Sequence, residues 1–252
     1  MELTEAQYRH IERCLPTQRG NVTLNNLQVL TAILYVAEHG GKWRGLPKQF
    51  GNWHTIYTRL NRWSKNGVLE RIFTQLQQAQ ILRVKLEAVA LDSTIVKVHP
   101  DGTGALKKNG PQALGRSRGG WPTTIHLVAA DARTALTCAL SPGQAHDAPE
   151  GRKLLQRFGK RPCPTPLLLD RAYEGDETRH LAVELGYVPV VPPKQNRRAP
   201  WEYDRVLYTH RNEIERLFRR LKGFRRLFSR VDKLDVMFLA FINFALIVEG
   251  LR

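Results

Sequence analysis

Pro166-Leu167-Leu168-Leu169-Asp170 is a short apolar run that stops on a carboxylate. A run of this length, entered through a proline and closed by a charge, reads as a fully buried strand rather than a helix. Downstream, residues 176–185 have helical spacing, and residues 187–191 form another apolar run stopped by Pro192-Pro193. Upstream, residues 84–91, 95–98, 125–130 and 135–140 read as successive strands. Residues 142–146 then form a loop and residues 149–158 a helix. Strands first, then alternating strand and helix, describe an α/β domain with a mixed sheet flanked by helices.

The first 80 residues have a different texture. Thr4 can cap a first helix, and residues 24–38 carry apolar side chains at helical spacing up to Gly40-Gly41. A linker with Trp43, Gly45, Pro47 and Gly51 follows. Residues 54–64 and 67–80 then form two short helices around the turn Lys65-Asn66-Gly67. With Arg59, Arg62 and Lys65 on it, this unit resembles a helix-turn-helix, although any small helical bundle has the same periodicity. Trp53 and Trp63 read as core residues. After the polar loop at 194–200 the chain reads as helical to its end. The apolar stretch 236–251 is interrupted by Asn243 and Glu249 and is short for a membrane span, so it reads as a buried helix. The expected division is a helical region at 1–82 and an α/β domain at 83–252.

Composition narrows the partners. The 252 residues contain 39 Lys and Arg against 23 Asp and Glu, a net charge of +16. Such a surplus favours a polyanion, nucleic acid first. The cations are not gathered into one tract or one amphipathic helix, as an anionic membrane would favour. Cys14, Cys138 and Cys163 have no zinc spacing and read as reduced residues. The first twenty residues lack a signal-peptide core, so a cytosolic protein is expected.

Asp170 has a counterpart in Asp92, which closes the run Leu86-Glu-Ala-Val-Ala-Leu-Asp92. A carboxylate directly after a buried strand is costly unless it enters a cleft, meets a cation or binds metal. A turn or cap aspartate is the plain alternative for either residue alone. A third acid lies in Tyr208-Thr-His-Arg-Asn-Glu-Ile-Glu-Arg-Leu-Phe-Arg-Arg-Leu-Lys222. Tyr208, Arg211, Glu215 and Lys222 fall on one face of a helix there, beside the apolar stripe Ile214, Leu217, Phe218 and Leu221. Glu213, two residues from Glu215, points to the other side. Carboxylate suits magnesium, a hard ion. Three carboxylates can hold two such ions about 3.5–4 Å apart for in-line displacement at phosphorus.

Three motifs resemble those of DDE transposases of bacterial insertion sequences, the insertion sequence 5 family in particular. They are Leu91-Asp92-Ser93-Thr94, Leu169-Asp170-Arg171-Ala172-Tyr173, and the spacing Tyr208-x2-Arg211-x3-Glu215-x6-Lys222. The basic, glycine-rich segment at 114–127 and the loop Gly143-Gln-Ala-His-Asp147 also resemble the family. Glu174 stands where relatives usually carry Asp. The resemblance implies an RNase H-like fold with an N-terminal helical DNA-binding part, and a catalytic, metal-binding triad of Asp92, Asp170 and Glu215. It implies two Mg2+ ions, with Mn2+ as a substitute. The implied partners are double-stranded DNA, both transposon terminal inverted repeats and target, and a second copy of the chain in a homodimer or larger assembly. The implied reaction frees a 3′-hydroxyl at a transposon end and joins it to target DNA. Two rival readings are an RNase H-like nuclease that never joins strands and a silent DNA-binding regulator derived from a transposase.

By spacing alone, Arg211 and Lys222 are either partners of Glu215 or phosphate contacts. The resemblance implies phosphate contact for Lys222 and positioning for Tyr208 and Arg211. Arg216, Arg219, Arg220, Arg225, Arg226 and Arg230 read as a basic surface contacting the DNA backbone. Arg116 and Arg118 either follow DNA from their glycine-rich loop or are simply solvated.

Overall fold

The computed structural model describes residues 3–18, 22–82, 87–106, 109–117 and 119–252. The chain gathers into two compact units that interleave along the sequence. One comprises residues 1–83, 96–112 and 220–252, the other residues 84–95 and 113–219.

The first unit is helical. Helix α1 (Glu5–Glu12) starts at a capping box in which Thr4 and Gln7 satisfy each other's backbone N–H groups. Helix α2 (Asn26–His39) starts the same way, on Asn25 and Gln28. It ends at Gly40, whose φ of 67° is the left-handed conformation that stops a helix without a Cβ penalty. Helices α3 (Trp53–Lys65) and α4 (Val68–Gln78) follow, turning at Asn66 and Gly67 as the sequence indicates. They bury Ile56, Leu60, Trp63, Leu69, Ile72 and Leu76. The last long helix of the chain, Asp235–Gly250, is buried almost throughout and packs on α3 and α4. Among the described residues no helix is long and apolar enough to cross a membrane.

The second unit is built on a mixed sheet. Its strands are β1 (Val89–Val98, which continues into the first unit), β2 (Pro122–Ala129), β3 (Ala135–Pro142), β4 (Thr165–Leu169) and β5 (Tyr187–Val190). They lie in the order β3-β2-β1-β4-β5. The pair β2–β3 is antiparallel, and β1, β4 and β5 run parallel. All eight residues of β2 are buried, as a central strand covered on both faces requires. Helix α5 (Asp147–Phe158) packs on β2 and β3, and α6 (Asp176–Glu184) on β5. The core is Val89, Leu91, Val128, Leu154, Leu167, Leu169 and their neighbours. The mixed sheet flanked by helices is the α/β arrangement expected from the sequence.

Two expectations are corrected here. The strands expected at 84–91 and 95–98 are one ten-residue strand, so Asp92 is its fourth residue rather than its end; residues 84–86 lie outside the described residues. Ser93 and Thr94 are compatible with extended backbone, and Lys97-Val98 find a partner of their own in Ser229-Arg230. That pairing is also why the chain is not helical to its end. After α7 (Arg205–Tyr208) and α8 (Asn212–Gly223) comes a four-residue helix, α9 (Arg225–Phe228). The two-residue strand β6 (Ser229–Arg230) and a turn then precede α10 (Asp235–Gly250).

Candidate active site

Parallel pairing of β1 with β4 sets Leu91 opposite Leu169, so Asp92, still within β1, comes next to Asp170, the first residue after β4. Asp170 Oδ1 accepts the Ala172 N–H at 2.6 Å and caps the tight turn Arg171–Tyr173. It is therefore a cap as well as a candidate ligand. Asp92 Oδ1 accepts the Ser93 N–H at 2.8 Å, and its Oδ2 accepts from Arg211 Nη1 at 3.0 Å. The other terminal nitrogen of Arg211 donates to Glu215 Oε1.

The backbone explains this reach. Tyr208 closes α7, and residues Thr209–Arg211 form a 3-10 turn that packs on β4 before α8 begins. The expected helix face from Tyr208 to Lys222 is thus carried by three successive helical pieces, not one α-helix. Their dihedral angles stay right-handed, so Arg211 and Glu215 still meet at i, i+4. The Arg211 guanidinium also lies 5.9 Å from the centre of the Tyr208 ring.

Charge is crowded at this point. The Asp92 carboxyl is pushed from its ordinary 3.8 up to about 6. Burial is the largest cause, Asp170 and Glu215 add to it, and the Ser93 N–H and Arg211 oppose it. Burial works against the charge of Arg211, yet Asp92 first, then Tyr208 and Glu215, hold its proton above the ordinary value. Burial, joined by Asp170, likewise raises the Tyr208 phenol despite Arg211. The oxygen donors and their excess negative charge fit a hard divalent cation, and Arg211 is the stand-in cation between two of them. Among the described residues, no three His, Cys, Asp or Glu side chains converge closely enough to hold one ion in this arrangement.

Other candidates fall in different places. Glu213 pairs with Arg216 and lines a separate cavity of about 250 Å3 with Glu87, Asp131 and His210. Lys222 is on the last turn of α8, within the first unit. Arg219 is exposed on α8 and Arg116 exposed in its loop; Arg118 lies outside the described residues. Around Arg116, the Gly115 and Gly143 N–H groups both donate to the Pro122 carbonyl, so the two loops singled out by resemblance meet there. A β-carbon at Gly143 would lie 2.3 Å from Pro122 Cγ, which explains the glycine.

Arg226 and Arg230 correct the expected basic surface. Arg226 is 4% exposed, holds both oxygens of Asp232 at 2.7 and 2.9 Å, and donates to the Gly41 carbonyl. Arg230 is fully buried and bonds Asp235 and the Asp232 and Lys233 carbonyls. Both are internal cations that tie the chain after α9 to its surroundings, and neither side chain is presented to a ligand.

The sequence did not single out Tyr173 as a site residue. Its hydroxyl is buried, and burial first, then Asp147, raise its pKa well above the ordinary value, with Asp92 and Asp170 contributing. The ring fits against Gly151, where a β-carbon would lie 2.5 Å from Tyr173 Cε1. Asp147, read from sequence as a loop residue, is the first residue of α5 and close enough to act on that phenol. Only its spacing after Gly143 could have suggested this. Glu174 pairs with Lys194 at 3.3 Å and Arg197 at 3.1 Å, so the acid at this position straps down the loop after β5.

The model described as "Transposase DDE domain" matches residues 83–248, and that described as "Putative transposase of IS4/5 family (DUF4096)" matches residues 3–73. "Uncharacterized protein y4sN" of Sinorhizobium fredii is 34% identical over 112 residues, 43% of this chain and 86% of that protein. "Putative transposase for insertion sequence element IS6501" of Brucella ovis is 28% identical over 131 residues, 52% of this chain and 98% of that protein. Among solved structures, the chain is similar to a piggyBac transposase synaptic complex with hairpin DNA. The TM-score is 0.40 at 9% identity, over 78% of this chain and 50% of that one. A Mos1 transposase paired-end complex with left transposon end gives 0.28 at 12% identity, over 69% and 61%. The chain therefore spans 50% to 61% of the length of these two solved chains. The DDE model covers well over half of the sequence, and the chain belongs to the DDE transposase family; residues 3–73 are similar to the IS4/5 model.

Proposed function

We propose that this protein is a DNA transposase that cuts the ends of an insertion sequence and joins the freed 3′-hydroxyl to target DNA. The observation that carries the reading is the register of β1 on β4, which brings Asp92 beside Asp170, with Arg211 linking Asp92 to Glu215. DNA recognition is assigned to residues 1–82 and chemistry to residues 83–252.

Asp92, Asp170 and Glu215 would hold two Mg2+ ions, or Mn2+ in their place. Such ions, when bound, stabilise charge on the attacking and leaving oxygens and make a nucleophile available at neutral pH. The side chains prepare for this. Asp92 would give up its Arg211 contact, Asp170 keeps its cap on Ala172, and Glu215 is presented from the first turn of α8. Tyr208 and Arg211 position the scissile strand, and Lys222, Arg219 and Arg116 contact phosphates. In the first step water attacks the phosphodiester and the 3′-oxygen leaves as a hydroxyl. In the second that hydroxyl attacks a target phosphodiester and displaces its 3′-oxygen, so one bond forms as one breaks. Two ends must meet for this, hence a dimer or larger assembly on DNA, in the bacterial cytoplasm at the nucleoid.

The test is incubation with a labelled transposon end, taken from inverted repeats flanking the reading frame, and Mg2+. Nicked and joined products are expected. Nicking without joining would replace the proposal with a nuclease, and DNA binding without nicking with a regulator. Asp92→Ala, Asp170→Ala and Glu215→Ala should each abolish nicking; survival of nicking in any of them overturns the triad.

A further inference from the structure

The first unit contains a cavity of about 280 Å3 whose walls include Gln18, Asn26, Arg59, Arg62, Trp63 and Asn66. No Asp or Glu lines it among the described residues. Arg59 and Arg62 are three residues apart on α3, which puts both guanidinium groups on one side of the helix. Arg59 is held in place: its Nη1 donates to the Leu24 carbonyl at 2.9 Å, and Gln18 Nε2 donates to the same oxygen at 3.2 Å. Burial first, then the neighbouring Arg62, disfavour the charge of Arg59. Two cations kept together with no acid on the cavity wall carry a cost that an arriving anion removes. Asn26 also lines the cavity, and its amide oxygen is buried without a hydrogen-bond partner. A carboxamide can offer either its oxygen or its NH2 group.

Arg62 and Asn66 are exposed at the rim, so the charge is reachable from the surface. The net charge of +16 makes a polyanion the natural source of the phosphate. We propose that this cavity receives a backbone phosphate of duplex DNA. Arg59 and Arg62 grip its oxygens as planar donors, and Asn26 meets a polar group of the adjoining nucleotide. The inference rests on the DNA-binding reading above and gives it a defined contact that orients the duplex without reading its bases.

The experiment measures binding of a fluorescent duplex to the full chain across a salt series. Arg62→Ala removes an exposed side chain and should lower the slope of log affinity against log salt by about 1, equally for cognate and unrelated duplexes. Arg59→Lys keeps the charge but loses the planar fork, and should weaken binding with the slope nearly intact. Unchanged slope and affinity in folded Arg62→Ala overturn the proposal. If the wild type binds no duplex at all, the transposase reading falls and inorganic phosphate judges the cavity. Thermal stabilisation by phosphate over chloride at equal ionic strength, lost in Arg62→Ala, keeps the anion site, and no such stabilisation overturns it.

Discussion

Replacing Asp92 by Asn should make the metal-free protein more stable at neutral and alkaline pH while abolishing strand cleavage. The Asp92 side chain is only 15% exposed, and its carboxyl is raised from 3.8 to about 6. At about 1.4 kcal/mol for each tenfold change in proton affinity, the raised value corresponds to about 3 kcal/mol. The sign follows from linkage. The folded state holds its proton more tightly than the unfolded state, so this stability is complete below about pH 3.8 and is lost as pH rises through about 6. Above that range the wild type carries a buried anion beside Asp170 and Glu215, whereas Asn keeps the shape and an acceptor for Ser93 without the charge. The lost attraction to Arg211 is already included, because it opposes the shift. In a chain of this size the gain appears as a rise in Tm of about 6–12 °C at pH 8. Thermal unfolding in EDTA, followed by Trp fluorescence from pH 5 to 8.5, measures it. The reasoning is refuted if the variant is no more stable than wild type at pH 8, or if the two proteins keep the same pH dependence.

Other substitutions test other parts of the argument. Arg211→Ala removes the cation between Asp92 and Glu215, so Mg2+ should stabilise the variant against heat at lower concentration than the wild type. A shift to higher Mg2+ would mean that Arg211 holds the ligands in place instead. Arg226→Ala leaves Asp232 buried without its partner and should cost about 3–5 kcal/mol in urea unfolding. A loss of DNA affinity without a loss of stability would return Arg226 to the binding surface. Gly151→Ala forces a methyl against Tyr173 and Leu91 and should cost about 1–3 kcal/mol; a neutral result would show that this packing relaxes freely.

What could be read from the sequence was local. The helix Asn26–His39 announces itself through apolar spacing, an Asn25 cap and Gly40, all within one short segment. The strand before Asp170 is a run of leucines with a proline before it, and burial of such a run allows few other readings. What escaped was set by partners distant in sequence. Ser229-Arg230 is extended only because Lys97-Val98 lies alongside it, and nothing in two residues foretells that. Arg226 belongs to a run of cations that looks like a surface, but its burial depends on Asp232 and on Gly41, 185 residues away. The same limit applies at the candidate site. Spacing identified Arg211 and Glu215 as neighbours, but the bond from Arg211 to Asp92 spans 119 residues and comes from the packing of the turn at Thr209–Arg211 on β4.

That bond gives Arg211 a definite place among the site charges. Three carboxylates around one guanidinium leave an excess of negative charge, and the raised Asp92 proton affinity is its consequence. Arg211 reduces this excess by forming two contacts at once, one to each of two candidate ligands. A second arginine beside it would remove half of the remaining excess and much of the reason for a divalent ion to enter. A missing one would leave Asp92 protonated to still higher pH. One bridging cation therefore keeps the carboxylates folded together and still under-neutralised, the condition under which a hard ion of higher charge can displace it.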